Sequence, residues 1–174
     1  MSRIEPTETL LVVVDVQEAF RGYERFDRVA AGCARLLQGA RIVGMRAVVS
    51  EQYPKGLGAS VPELGLRDET VLPKSCFSAA SADGFAVNGA RAAVVCGLES
   101  HVCVENTARG LLASGLAVHV VADACAARAE LDHVLAMERM RSAGAEIETV
   151  ESTLFGLFDA AGSEQFKAVQ RLVL

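Results

Sequence analysis

AAVVCGLESHVCVENTARGLL, residues 92–112, reads as a strand, a tight turn and a helix in direct succession. Residues 92–96 form a short, continuous apolar run, the pattern of a strand buried on both faces, and Gly97 closes it. A helix is expected over residues 101–114, ended by Gly115. The alternation continues on both sides. Upstream, residues 10–14 (LLVVV) are a second buried run, ending in Asp15, and Phe26, Val29, Ala30, Cys33, Leu37 and Ala40 recur at helical spacing before Gly44. Residues 46–50 are β-branched and strand-like, and 70–72 form a short strand that delivers Lys74. Between them, residues 52–68 hold three glycines and two prolines and read as a long loop. A short helix is expected over 81–88. Downstream come a strand at 117–122, a helix at 130–143 ended by Gly144, and a last strand at 147–150. A closing helix at 163–173 turns Phe166, Val169 and Leu172 inward. Strands alternating with helices predict an α/β fold on a parallel sheet with right-handed crossovers.

Composition bounds the function. The 174 residues are 51% hydrophobic and 22% charged, enough for a sizeable core in one domain over 1–174. A net charge of −5, with 5% aromatics, argues against nucleic acid or an anionic membrane as partner. No apolar run approaches the roughly 18 residues of a spanning helix, and the stretch MSRIEPTETL has no apolar signal core. Five cysteines without a CxxC pair fit a reducing, cytoplasmic setting better than a disulfide framework.

In parallel α/β sheets the chemistry gathers beyond the C-terminal strand ends. That rule selects Asp15, the segment after Ser50, Lys74, the turn after Gly97, and Asp123. Cys103 falls in the first turn of the helix that follows the 92–96 strand, where unpaired N–H groups and the helix dipole favour a thiolate and can hold an oxyanion. Asp15, at a strand end, can act as a general base, and Lys74, flanked by apolar residues, can supply a fixed positive charge. Taken singly, each has an ordinary alternative: a buried hydrophobe for Cys103, a cap for Asp15, a snorkelling lysine for Lys74. Cys33, Cys76, Cys96 and Cys125 lack such a setting and read as structural. His101 lies two residues before Cys103, about 200° round a helix from it, which does not favour a dyad. His119, inside a strand, and His133, on a helix, read as structural or solvated, and Asp123 with Arg128 as a loop-bracing pair. No GxSxG elbow and no dinucleotide fingerprint is present.

LLVVVDVQEAF, SEQYPKGLGASVPELG, LPKSCFS and VVCGLESHVCVENTARGLLASGLAVHVVADACAAR together resemble the isochorismatase-like cysteine hydrolases, over about residues 10–144. Within them the chain is most similar to the isochorismatase domain-containing group. The resemblance implies a three-layer α/β/α fold with a central, mostly parallel sheet of Rossmann-like topology. It also implies an Asp–Lys–Cys triad at Asp15, Lys74 and Cys103: Cys103 the nucleophile, Asp15 the proton acceptor and donor, Lys74 the group orienting Asp15. A cis peptide at Leu98–Glu99 would turn the Glu99 N–H towards that of Cys103 to form the oxyanion hole. Gln17, Phe20, Gln52 and Tyr53 would line the pocket. Nicotinamidases of this superfamily bind a metal through an Asp-x-His pair, but residues 50–53 read Ser-Glu-Gln-Tyr, so no metal or other cofactor is expected. True isochorismatases cleave a vinyl ether without a cysteine nucleophile, so Cys103 points to C–N hydrolysis of a small molecule. The rival expectation is a binding or scaffold protein that keeps the triad. Redox chemistry at Cys103 ranks last, for want of a nearby resolving cysteine. The family's habit implies a homo-oligomer, dimeric or tetrameric.

Overall fold

The computed structural model describes residues 4–174, so the first three residues of the N-terminal stretch and of the expected domain lie outside it. Among the described residues, six strands form one sheet in the order β3-β2-β1-β4-β5-β6. They are β1 (Thr9–Val14), β2 (Arg46–Gln52), β3 (Thr70–Lys74), β4 (Ala92–Leu98), β5 (Ala117–Ala126) and β6 (Glu146–Glu148). Every pairing is parallel. The two uninterrupted apolar runs, β1 and β4, lie side by side at the centre with all their residues buried. That is the place a run without polar alternation must occupy.

Helices cover both faces. α1 (Phe26–Val43) turns Phe26, Val29, Cys33, Leu37 and Ala40 onto the sheet. It ends where Gly44 (φ 73°) enters the left-handed region and donates its N–H to the Ala40 and Arg41 carbonyls. α2 (Pro54–Leu57) is one turn inside the long loop. α3 (Glu105–Ala113) and α4 (Glu130–Ser142) pack together, while α5 (Val150–Phe155) and α6 (Glu164–Gln170) pack on α1. The result is the expected three-layer α/β/α architecture. Glu105, at the start of α3, accepts from Arg139 of α4 and Arg109, which hold its carboxyl below the usual range.

Several local expectations are corrected. Residues 81–88 are not a helix: a 3₁₀ turn at Ala79–Ser81 gives way to turns at Gly84, Asn88 and Gly89, all at positive φ. The last strand stops at Glu148, because Thr149 and Ser152 form a reciprocal capping box that starts α5. The expected helix over 101–114 begins as a wide π-helical turn, Ser100–Val104, and becomes α-helical only at Glu105. The strand expected over 117–122 continues to Ala126, with a register shift opposite Val95–Gly97.

The strand order reverses between β1 and β4, and ligands in such sheets lie outside the strand ends at that crevice.

Candidate active site

The ends of β1, β2 and β4 carry unusual backbone. Among the described residues, four non-glycines have positive φ, and three of them, Asp15 (54°), Tyr53 (38°) and Glu99 (59°), directly follow those strands. Such conformations cost about 1–3 kcal/mol each and persist where the surroundings hold them, commonly at functional sites. Asp15 is held by its N–H to the Ser50 carbonyl (3.1 Å), Tyr53 by its N–H to that of Lys74 (2.8 Å).

β3 delivers Lys74 from the sheet edge beneath Asp15. Lys74 Nζ donates to Asp15 Oδ2 at 2.8 Å, with both side chains fully buried. It also reaches Gln52 Oε1 (2.6 Å) and the carbonyls of Phe77 (3.0 Å) and Cys76 (3.2 Å). The second Asp15 oxygen accepts from Ser50 Oγ at 2.7 Å. A buried ion pair survives desolvation only with such additional hydrogen bonds. Ser50 was not singled out from the sequence; its signal is a hydroxyl residue ending an apolar strand at the edge that carries Asp15.

The Cys103 thiol, 4% exposed, faces both members of the pair and lies 3.8 Å from Gln52 Oε1. Burial and the Asp15 carboxylate push its pKa up to about 12, against the downward pull of Lys74. This reverses the sequence expectation of a lowered value. Cys103 sits inside the wide turn before α3, so desolvation there outweighs the helix terminus. The resting side chain is therefore a thiol, and its proton has an adjacent carboxylate to move to.

The turn that precedes Cys103 also differs from expectation. No peptide bond among the described residues is cis, so Leu98–Glu99 is trans, and Glu99 in the left-handed region (φ 59°, ψ 60°) redirects the chain instead. Its carbonyl accepts from the N–H groups of Val102 (2.9 Å) and Val104 (3.2 Å). Its carboxylate accepts from the Tyr23 hydroxyl, with Arg128 against both groups. Arg128 thus braces Tyr23 and Glu99 rather than Asp123, whose carboxylate accepts from the Val150 N–H at 2.8 Å. His101 Nε2 lies 3.9 Å from Glu99 and 4.0 Å from Asp132. His133 Nδ1 meets Ser100 Oγ at 2.9 Å, and burial lowers the histidine's pKa.

The four residues assigned to the pocket separate. Gln52 is at the triad, its Nε2 donating to the Ser75 carbonyl (2.9 Å) and its Oε1 turned towards Lys74 and Cys103. Gln17 is fully buried, and its amide spans the loop: Nε2 donates to the carbonyls of Gly58 (2.6 Å) and Gln52 (3.0 Å), and Oε1 accepts from the Gln52 N–H (2.8 Å). Phe20 is half-buried, edge-on to Tyr23. Tyr53 is 59% exposed and, with Pro54, Lys74, Ser75 and Cys76, lines a cavity of about 500 Å³.

A buried Asp–Lys pair against a cysteine, at the switch point of a parallel sheet, defines a candidate cysteine-nucleophile site on an α/β fold. Comparison with known proteins places the chain. The isochorismatase domain matches residues 9–152, and the chain belongs to the isochorismatase domain family. Isochorismatase domain-containing protein 2 of Bos taurus is 39% identical, over 99% of this chain and 86% of its own. A Caenorhabditis elegans structure described as MAR1 ribonuclease superposes with a TM-score of 0.92 at 36% identity, covering 99% of this chain and 92% of the other. The YcaC product of Escherichia coli, described as an octameric hydrolase of unknown specificity, shares the fold (TM-score 0.80, 23% identity, 90% of this chain and 82% of the other).

Proposed function

We propose that this member of the isochorismatase-like hydrolase family is a cofactor-free cysteine hydrolase that cleaves a small amide or related C–N bond. The observation that carries the reading is the Lys74–Asp15 ion pair buried against the Cys103 thiol. Asp15 takes the thiol proton as Sγ bonds to the substrate carbonyl carbon. The resulting oxyanion is held by the N–H groups of Glu99 and Cys103, the left-handed conformation of Glu99 taking over from the expected cis peptide in turning the chain there. Collapse breaks the C–N bond, and Asp15 returns its proton to the departing nitrogen. Water, deprotonated by Asp15, then attacks the thioester, releasing the carboxylic acid and restoring the thiol. Lys74 orients Asp15 throughout and offsets its negative charge whenever the carboxylate carries no proton. Gln52 and Tyr53 border the substrate, while Gln17 and Phe20 shape the pocket behind them.

The ribonuclease described for the nematode relative offers a second reading. The charge of −5 opposes it, because RNA affinity comes chiefly from cationic contacts to phosphates. Five free thiols support a reducing, cytoplasmic setting. The chain is further read as a homo-oligomer, because Leu131, Val134 and Leu135 form an exposed apolar stripe on α4, whose opposite face is already buried.

The test is a panel of small amides and ureides, with single-stranded RNA as a parallel substrate, assayed on wild type and Cys103→Ala. The expected result is amide turnover with a trapped acyl adduct on Cys103, both abolished in Cys103→Ala. Undiminished amide turnover in that variant, or RNA cleavage without amide turnover, would overturn the reading.

A further inference from the structure

At the far edge of the sheet from Lys74, β5 and β6 bring together three metal-ligating side chains that the hydrolase reading leaves unused. The register pairs His119 with Glu146 and Val121 with Glu148, so His119, Glu146 and Glu148 project from one face. One ligand atom from each lies within 4.8 Å of the others. We propose that His119, Glu146 and Glu148 bind a first-row divalent cation of the Zn²⁺ or Mn²⁺ kind.

The geometry needs little adjustment. His119 Nδ1 and Glu148 Oε1 are 3.7 Å apart, and two ligands on one tetrahedral zinc ion lie about 3.4 Å apart. The aim of Glu148 is fixed from behind: its other oxygen accepts from Ser152 Oγ at 2.6 Å, and Ser152 is itself held in the capping box that opens α5. Outer hydrogen bonds of this sort orient metal-ligating carboxylates. Burial points the same way, because His119 and Glu148 are withdrawn from water into surroundings where polar groups need a partner or a metal ion. One imidazole among carboxylates suits zinc or manganese better than calcium or magnesium, which prefer oxygen ligands alone. Glu146 is only half-buried on an edge strand, which gives the ion an entry path. The site lies in the first half of β5, away from the strand ends that carry the triad, so it stands independently of the hydrolase reading. Its effect would be to fasten the three-residue β6 to the sheet.

The experiment uses chelator-stripped full-length Cys103→Ala, which removes the triad thiol as a competing ligand. Zinc content after equilibrium dialysis and the thermal midpoint with Zn²⁺, Mn²⁺ or Mg²⁺ are measured. One Zn²⁺ per chain and a midpoint raised by Zn²⁺ but not by Mg²⁺ are expected. Adding Glu146→Gln should weaken zinc binding tenfold or more, and adding His119→Gln should remove it. Glu146→Gln, at a half-exposed position, decides the matter alone should His119→Gln fail to fold. No retained zinc, leaving an ion pair only, or equal retention with Glu146→Gln, would overturn the proposal.

Discussion

At the scale of single residues, Lys74 carries the largest energetic consequence. Its ammonium is fully buried and donates to Asp15, Gln52 and two carbonyls, so Lys74→Met strands the Asp15 carboxylate without its counter-charge. Removing one partner of such a pair costs about 3–5 kcal/mol, whereas removing both costs much less. Urea denaturation should therefore find Asp15→Asn/Lys74→Met more stable than Lys74→Met alone. Equal destabilisation of the two would mean that the pair is not electrostatically coupled. The residues of this pair were legible because a polar group ending an apolar strand is conspicuous at the edge where such sheets do chemistry. The state of Cys103 was not legible. Its pKa depends on a wide turn and on enclosure by three other segments, and a helix-terminus argument from sequence weighs neither.

At the scale of elements, Gly97 controls how closely β1 and β4 approach. A Cβ there would stand 2.0 Å from the Val14 carbonyl oxygen, at a φ of 132° that side chains seldom adopt. Gly97→Ala should cost more than about 3 kcal/mol, since backbone must shift rather than a side chain. It should also displace Asp15, the residue that follows β1. A thermal midpoint within a few degrees of wild type would contradict this contact. The apolar runs that became β1 and β4 were readable because continuous hydrophobicity has one stable place, the middle of a parallel sheet. The short helix expected over 81–88 does not form because Gly84 and Asn88, both at positive φ, break the backbone within it. The strand expected to reach residue 150 stops at Glu148 because the reciprocal Thr149–Ser152 hydrogen bonds start α5 there.

At the scale of the whole molecule, two features contrast: α4 is apolar on two faces, while the triad side chains are buried beside the cavity that Lys74 and Tyr53 line. His133, Ala136, Met137 and Met140 are buried against the sheet side, and Leu131 (67%), Val134 (42%) and Leu135 (40%) stay exposed. A second copy of the chain is the proposed cover, so Leu131→Glu/Leu135→Glu should shift the mass in sedimentation to that of one chain. An unchanged assembly would place the interface elsewhere. The central claim, that Asp15 both holds the thiol protonated at rest and accepts its proton in turnover, has one direct test. Iodoacetamide labelling of Cys103 is followed against pH, by peptide mass spectrometry, in wild type and Asp15→Asn. Because the carboxylate raises the thiol pKa, its removal lowers that pKa and increases the thiolate fraction at pH 8, about tenfold for each unit of the fall. Faster labelling together with lost amide turnover in Asp15→Asn is the predicted result; labelling that is unchanged or slower would contradict the account.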